Sequence, residues 1–226
     1  MNLNPKISIL TPSIRIEGLK IIQECLKNST FKEYEWLTEI GIPERGHDLN
    51  QAFNRMIKRA KGELLIFCED FNKFPPDALE KWWSAYQECP NTAFTAPLGK
   101  VDDFQSKDIK WDWRAYKQND SQTDYTDCNW NTLELDWGAI PKKMLYDIGG
   151  FEEKLDQWWS MDNVAVGKLL HLKGYQFKCL FSNPAIVYDH DTHSPHPFRA
   201  KYNSEEANEI INSYNPETIL PYLDVI

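Results

Sequence analysis

The chain has 226 residues, of which 42% are hydrophobic and 26% charged, and a formal net charge of −9. That length suits one generous domain whose core needs no disulfide or metal to staple it. The acidic balance argues against a nucleic-acid or anionic-membrane surface, because both require Lys/Arg patches.

Five cysteines, Cys25, Cys68, Cys89, Cys128 and Cys179, are scattered and form no CxxC pair, which predicts free thiols in a reducing compartment. Met1 to Lys6 lacks an apolar signal core, and no apolar run approaches the length of a membrane span. The expectation is a cytoplasmic protein with no transmembrane segment.

In chain order, Ile7 to Leu10 reads as a short strand closed by Thr11-Pro12-Ser13. A helix follows over Ile16 to Lys27, with Leu19, Ile22, Cys25 and Leu26 on one face. Tyr34 to Ile40 reads as a second strand. Gly46-His47-Asp48 opens a second helix with Asp48 as its N-cap, and Leu49, Phe53, Met56, Ile57 and Ala60 form its apolar face. Leu64 to Cys68 is continuously apolar and follows a helix-ending Gly62, the pattern of a strand buried on both faces. Pro75-Pro76 starts a helix to about Glu88, and Thr92 to Ala96 reads as a fourth strand. This strand–helix alternation predicts an α/β fold with a mostly parallel central sheet flanked by helices.

From Leu98 to about Asn131 the periodicity disappears, and Trp111, Trp113, Tyr116, Tyr125 and Trp130 stand among polar residues. Two readings are open: a loop whose rings stack on a sugar or another flat acceptor, or a packed insertion covering a sheet edge. Order resumes with Thr132 to Ile140. Pro141 opens a short helix to about Ile148, and Gly149-Gly150-Phe151 makes a turn. Asp162 to Lys173 is helical and stopped by Gly174; Tyr175 to Phe181 and Ala185 to Tyr188 read as strands. A last helix covers about Ser204 to Ser213.

The chemistry concentrates where the apolar strand ends in Glu69-Asp70. In open α/β sheets ligands bind outside the carboxyl ends of the strands. Paired carboxylates there suit Mg²⁺ or Mn²⁺ carrying a phosphate.

Longer motifs agree with this. Ile7-Ser8-Ile9-Leu10-Thr11-Pro12-Ser13 begins the chain's first strand, and Asn50 to Met56 with Ala60-Lys61-Gly62-Glu63 forms a helix ending in Gly-Glu. Trp137-Gly138-Ala139-Ile140-Pro141 precedes Ile148-Gly149-Gly150-Phe151-Glu152-Glu153, and Trp159-Ser160-Met161-Asp162-Asn163 and Lys173-Gly174-Tyr175 follow. In this order, over about residues 6–100 and 132–192, they resemble family 2 glycosyltransferases of the GT-A fold. The resemblance implies one GT-A-like domain over 1–226, with a nucleotide-binding half (1–97), an aromatic-rich insertion (98–131), an acceptor and catalytic half (132–200) and a tail (201–226).

It also implies roles. Glu69-Asp70 falls at the family's metal-binding DXD, with Asp70 the metal ligand and Glu69 a second ligand or a contact to the ribose. His190, flanked by Asp189 and Asp191, falls where related enzymes place a histidine on the metal; His193 is an alternative. Asp162 stands at the "ED" position and would take the acceptor's proton; as a bare residue type it is also a good helix cap. Thr11, Pro12 and Ser13 would border the nucleotide, Asn54 and Arg55 the donor phosphate or ribose, and Asp136 and Gly138 the donor sugar or acceptor. Three departures stand out. The aspartate after the family's second strand is missing from Glu39-Ile40-Gly41-Ile42-Pro43-Glu44, the DXD reads Glu69-Asp70-Phe71, and the "ED" pair has become Met161-Asp162, leaving one acid.

The expected activity is a hexosyltransferase-like transfer, dependent on Mn²⁺ or Mg²⁺ and inverting. It would move a sugar from a nucleotide donor, UDP-sugar favoured, to a saccharide or other hydroxyl acceptor. Two rivals are a non-catalytic sugar- or nucleotide-binding module on a degenerate transferase scaffold, and a nucleotidyltransferase. The second would need a Gly-rich phosphate loop near the first strand, which is absent from the sequence.

Overall fold

The structure, a computed structural model, describes residues 4–41, 48–103, 105–116, 124–156, 158, 161–188 and 205–224. The first half runs β1 (Ile7–Ser13), α1 (Ile16–Asn28), β2 (Tyr34–Ile40), α2 (Leu49–Arg59), β3 (Leu64–Cys68), β4 (Asn72–Lys73), α3 (Ala78–Glu88) and β5 (Thr92–Thr95). Then come β6 (Leu98–Val101), β7 (Lys110–Trp111), α4 (Trp113–Tyr116) and β8 (Tyr125–Asp127). The second half holds β9 (Trp137–Pro141), α5 (Lys142–Ile148), α6 (Met161–Leu172), β10 (Gln176–Leu180), β11 (Ala185–Tyr188) and α7 (Glu205–Asn212).

The main sheet has seven strands in the order β2-β1-β3-β9-β5-β10-β8. β1 runs parallel to β2 and β3, and β5 parallel to β10. β9 is inserted antiparallel between β3 and β5, and β8 closes the far edge antiparallel to β10. The strand order reverses between β1 and its two neighbours, so a ligand crevice is expected at their carboxyl ends.

The apolar run of β3 places residues alternately on two faces. Leu65 and Phe67 join one cluster with Phe53, Met56 and Ile57 of α2 and the apolar sides of α5, α6 and α7. Leu64, Ile66 and Cys68 join the other, with Ile22 and Leu26 of α1 and Leu79 and Trp82 of α3. Helices therefore cover both faces, as the continuous hydrophobicity of β3 requires. Of the adjacent Trp82 and Trp83, only Trp82 is fully buried; its ring lies 5.7 Å from that of Trp137.

Three sequence expectations need correction. Thr11-Pro12-Ser13 continues β1 and pairs with Thr38 to Ile40 of β2. Pairing with β3 stops at Leu10, so Pro12 occupies a length of strand free on one side, where a missing N–H is tolerated.

The segment 98–131 is no structureless loop. Its strands of two to four residues are too short to show a period, yet β6 pairs with β11 and β7 in a second, four-stranded sheet. β8 covers the edge of the main sheet, in line with the packed-insertion reading.

Asp48 precedes α2 but its side chain makes no cap bond and instead pairs with Arg55. The cap comes from far along the chain: Asp156 accepts from the backbone N–H groups of Asn50, at 2.5 Å, and Gln51. Gly46 and His47 lie outside the described residues.

The Gly149-Gly150-Phe151 turn locks α2 to the tail. Gly149 has φ +80 and its Cα faces the Leu220 backbone so closely that a Cβ would lie 1.8 Å from the carbonyl oxygen. Asn54 accepts from the Phe151 N–H at 2.8 Å and donates to the Phe151 carbonyl at 2.9 Å. The Phe151 ring then sits 5.0 Å from Phe53 and 5.5 Å from Phe67.

Candidate active site

β1 and β3 diverge after Leu10 and Phe67, and the chain beyond each strand turns into the gap. Ser13 ends β1 and Arg15 follows it; Glu69 and Asp70 follow β3. Asp70 is 4% exposed and Arg15 22%. The Arg15 guanidinium holds both Asp70 oxygens, Nε donating to Oδ2 at 3.0 Å and Nη2 to Oδ1. The Ser13 hydroxyl donates to Oδ2 at 2.6 Å. Phe71, next in the chain, has φ 63, a left-handed conformation that costs a non-glycine residue about 1–3 kcal/mol and persists where surrounding packing imposes it.

The antiparallel insertion of β9 brings Asp136 beside Glu69. The Asp136 carbonyl accepts from the Glu69 N–H at 3.1 Å and from the Asn72 side-chain amide at 2.6 Å. Asp162, in the first turn of α6, completes a group of mutually repelling acids. The carboxyl of Glu69 is pushed well above its ordinary value, first by the charge of Asp136, then by burial, Asp70 and Asp162, with Arg15 opposing. Asp136 is raised by burial, opposed by Arg114 and Lys100. Asp162 is pushed up to about 7 by burial and by Asp136, although its own N–H and that of Asn163 favour the charged form.

Glu134 belongs to the same surface. Burial, then Asp136, raise it to about 7, and Asn163 donates to its Oε2 at 3.1 Å. Glu134 and Asp136 line a cavity of about 370 Å³ together with Lys100, Trp111, Asp112 and Arg114. Arg114 is itself anchored by Asp112 and by Thr95, whose Oγ1 accepts at 2.5 Å. The insertion thus supplies one wall of this cavity, with Trp111 in it.

Not every residue expected at the site reaches it. Asn54 is buried and engaged with Phe151 and Glu153, so it holds the turn and is not available to a donor phosphate. Gly138 is a packing glycine: a Cβ there would lie 2.7 Å from the Glu134 carbonyl and 2.9 Å from that of Phe94. The Thr11 hydroxyl is fully buried and accepts from the Trp36 indole at 3.0 Å. Pro12 is half-buried beside it. Arg55 pairs with Glu39 and Asp48 on the surface. Ser13, Glu69, Asp70, Asp136 and Asp162 are drawn together. His190 and His193 lie outside the described residues.

Arg15 and Glu134 were missed from sequence. Each had a signal: Arg15 is the first base past a strand end, and Leu133-Glu134-Leu135-Asp136 alternates so that both acids share one face.

The donor chemistry fits a hard divalent cation. Three desolvated acids repel one another beside Asp70, and oxygen donors of this kind suit Mg²⁺ or Mn²⁺. Among the described residues, however, no three His, Cys, Asp or Glu are gathered in ligating geometry, and Asp70 is clasped by Arg15.

The acids have a consequence for stability. Between about pH 4 and pH 7 the native state keeps protons on Glu134 and Asp162 that the unfolded chain has released, because both folded values lie near 7. Stability therefore falls as pH rises through that window and levels off above it. The ligand-free protein is expected to melt at a higher temperature near pH 5 than near pH 8; calorimetry showing the reverse order would contradict the burial of these acids.

No family model matches the chain, and no curated protein matches it. Solved structures do. S. aureus TarS residues 1–349 in complex with UDP-GlcNAc superposes with a TM-score of 0.63 at 14% identity, over 91% of this chain and 64% of that one. A second structure of S. aureus TarS 1–349 gives 0.59 at 12%, over 82% and 61%. GalNAc-T7 with UDP, GalNAc and Mn²⁺ gives 0.58 at 11%, over 83% and 44%.

The chain has a GT-A fold. The GT-A resemblance read from Glu69-Asp70 and the Gly-Gly-Phe turn is thus borne out at the level of architecture. The chain spans under two thirds of the length of TarS 1–349 and under half of GalNAc-T7. No disulfide links the five cysteines, and among the described residues no helix is long and apolar enough to cross a membrane.

Proposed function

We propose that this GT-A chain is an inverting, metal-dependent glycosyltransferase, moving a sugar from a nucleotide donor to a hydroxyl acceptor. The observation that carries the reading is the convergence of Glu69, Asp136 and Asp162 beside Asp70, at the carboxyl ends of β1 and β3 where the strand order reverses. Donors of the UDP-sugar type are favoured because TarS was crystallised with UDP-GlcNAc and GalNAc-T7 with UDP, GalNAc and Mn²⁺. Five cysteines without a disulfide favour a cytoplasmic setting.

Asp70, with His190 as a second ligand, would hold Mn²⁺ or Mg²⁺. When bound, such an ion offsets charge on the departing diphosphate. Ser13 and Glu69 border the nucleotide, and Asp136 faces the donor sugar. Trp111 offers an aromatic face to an acceptor ring in the cavity beside Asp136. Asp162 takes the proton of the attacking hydroxyl. The acceptor oxygen bonds to the anomeric carbon from the side opposite the leaving phosphate. The anomeric carbon–phosphate oxygen bond breaks, and the nucleoside diphosphate leaves with that electron pair. The raised carboxyl of Asp162 keeps it basic enough to act near neutrality.

The test is release of nucleoside diphosphate from a panel of UDP-, GDP- and TDP-sugars, with and without Mn²⁺. Turnover of at least one donor, abolished by chelator, is expected. Tight binding of a donor with no turnover in the presence of any acceptor class would instead establish the non-catalytic module.

A further inference from the structure

We propose that Arg15 is an exchangeable counter-cation: it clasps Asp70 when no ligand is bound, and hands Asp70 to the metal as its guanidinium moves to the donor diphosphate. The inference rests on the glycosyltransferase reading and adds a residue that the motifs do not contain.

The geometry around Arg15 is built. Nε, Nη2 and the Ser13 hydroxyl take three of the roughly four lone-pair directions of the Asp70 carboxylate. A metal ion can make little use of Asp70 until that clasp opens. Ser13 Oγ also accepts from the Arg15 N–H at 2.8 Å, so the hydroxyl ties the end of β1 to the arginine it helps to position. Arg15 immediately precedes α1, and its guanidinium lies 5.2 Å from the Phe71 ring centre. Among the described residues, Phe71 is the only non-glycine residue with positive φ. Gly18 of α1 presses on the same corner: a Cβ there would lie 2.6 Å from the Phe71 ring and 2.9 Å from Asp70 Cβ. A strained residue, a packing glycine, a cation–π contact and a forked ion pair therefore meet at one point.

Arg114 shows the contrast. It is deeply buried, anchored by Asp112 and Thr95, and is a fixed part of the cavity wall. Arg15 stands at the rim with a fifth of its side chain exposed, over an aromatic face that keeps contact as the guanidinium shifts.

Charge explains why the exchange must be coupled. Arg15 is the one cation among the main influences on Glu69, which faces Asp70, Asp136 and Asp162. Withdrawing it without replacement leaves uncompensated acids in a desolvated place. Replacing it with a metal keeps the charge balanced, and a diphosphate gives the released guanidinium a second forked partner. Metal and nucleotide then assist each other's binding by a coupling free energy that runs partly through Arg15.

The test measures binding of Mn²⁺ by electron paramagnetic resonance and of UDP by calorimetry, in the full chain. Arg15→Gln should bind Mn²⁺ alone about tenfold more tightly than the native chain, because the competing clasp is gone. The same variant should bind UDP in saturating Mn²⁺ about tenfold more weakly, the scale of a lost charge-assisted hydrogen bond. Arg15→Lys, which keeps the charge without the fork, should also bind Mn²⁺ more tightly but hold UDP within about threefold of the native value. Melting curves show whether each variant is folded. Unchanged Mn²⁺ and UDP affinities in both variants, with a native chain that binds both ligands, would overturn the role of Arg15 alone. A native chain that binds neither UDP, GDP nor TDP with Mn²⁺ would overturn the transferase reading along with it.

Discussion

Replacing Asp70 with asparagine is expected to lower sugar transfer by roughly a thousandfold while leaving the fold in place. The size follows from the several kcal/mol that a divalent ion contributes to leaving-group stabilisation, at about 1.4 kcal/mol per factor of ten. Asparagine keeps the shape of the side chain at a position that is 4% exposed, and its carbonyl can still accept from Ser13, so the crevice wall is preserved. Chelation of the native protein should bring its rate down to that of the variant. Steady-state rates with the best donor from the panel, alongside circular dichroism, make the comparison. A variant that retains full activity, or a native protein whose transfer is indifferent to chelator, would remove Asp70 from the proposed mechanism.

The second large effect concerns Asp162. Asp162→Asn should reduce kcat by about 10²–10⁴, the range for loss of a positioned general base, with donor affinity little changed because the proposed mechanism sets Asp162 against the acceptor's proton and not the nucleotide. The pH dependence gives an independent check. A base must be ionised to act, and Asp162 is pushed up to about 7 by burial and by Asp136. The native rate should therefore rise with pH up to about 7 and level off above it. In the asparagine variant the residual rate should lose that acid limb. If the limb persists unchanged in Asp162→Asn, a different carboxylate carries it, and Glu134, also raised to about 7 and lining the cavity beside Asp136, is the group to replace next.

The fold was legible wherever burial imposes a period. β3 spans Leu64–Cys68, the bounds that continuous apolarity gives, and β2 spans Tyr34–Ile40 as read from the sequence. Gly149-Gly150 reads as a turn because glycine tolerates positive φ, which both residues adopt. What escaped was structure made by pairing alone. β6, β7 and β8 are too short for a pattern, and only the tertiary ladders with β11 and β10 define them. The antiparallel direction of β9 cannot be read from Trp137 to Pro141 either; it follows from where the chain returns.

The site divides in the same way. Residues that end strands, Ser13, Glu69 and Asp70, were visible because a polar residue after an apolar run marks where the strand gives way to the crevice at its carboxyl end. Motif positions inside elements proved ambiguous. Asn54 and Gly138 match the family pattern yet serve packing, since an amide that satisfies both backbone groups of Phe151 and a glycine under the Glu134 carbonyl are what the fold itself requires. Arg15 and Glu134 carried a weaker signal in the sequence, and their places were fixed when distant segments met, Arg15 against Asp70 and Glu134 against Asn163.

The most direct measurement is a crystal of the protein grown with UDP and Mn²⁺, with diffraction recorded at the manganese absorption edge. One anomalous peak within ligating distance of Asp70 and the diphosphate, with Arg15 turned away from Asp70, is expected. UDP bound away from the ends of β1 and β3, or manganese absent from Asp70 while Arg15 still clasps it, would contradict a metal-dependent transferase built on this crevice.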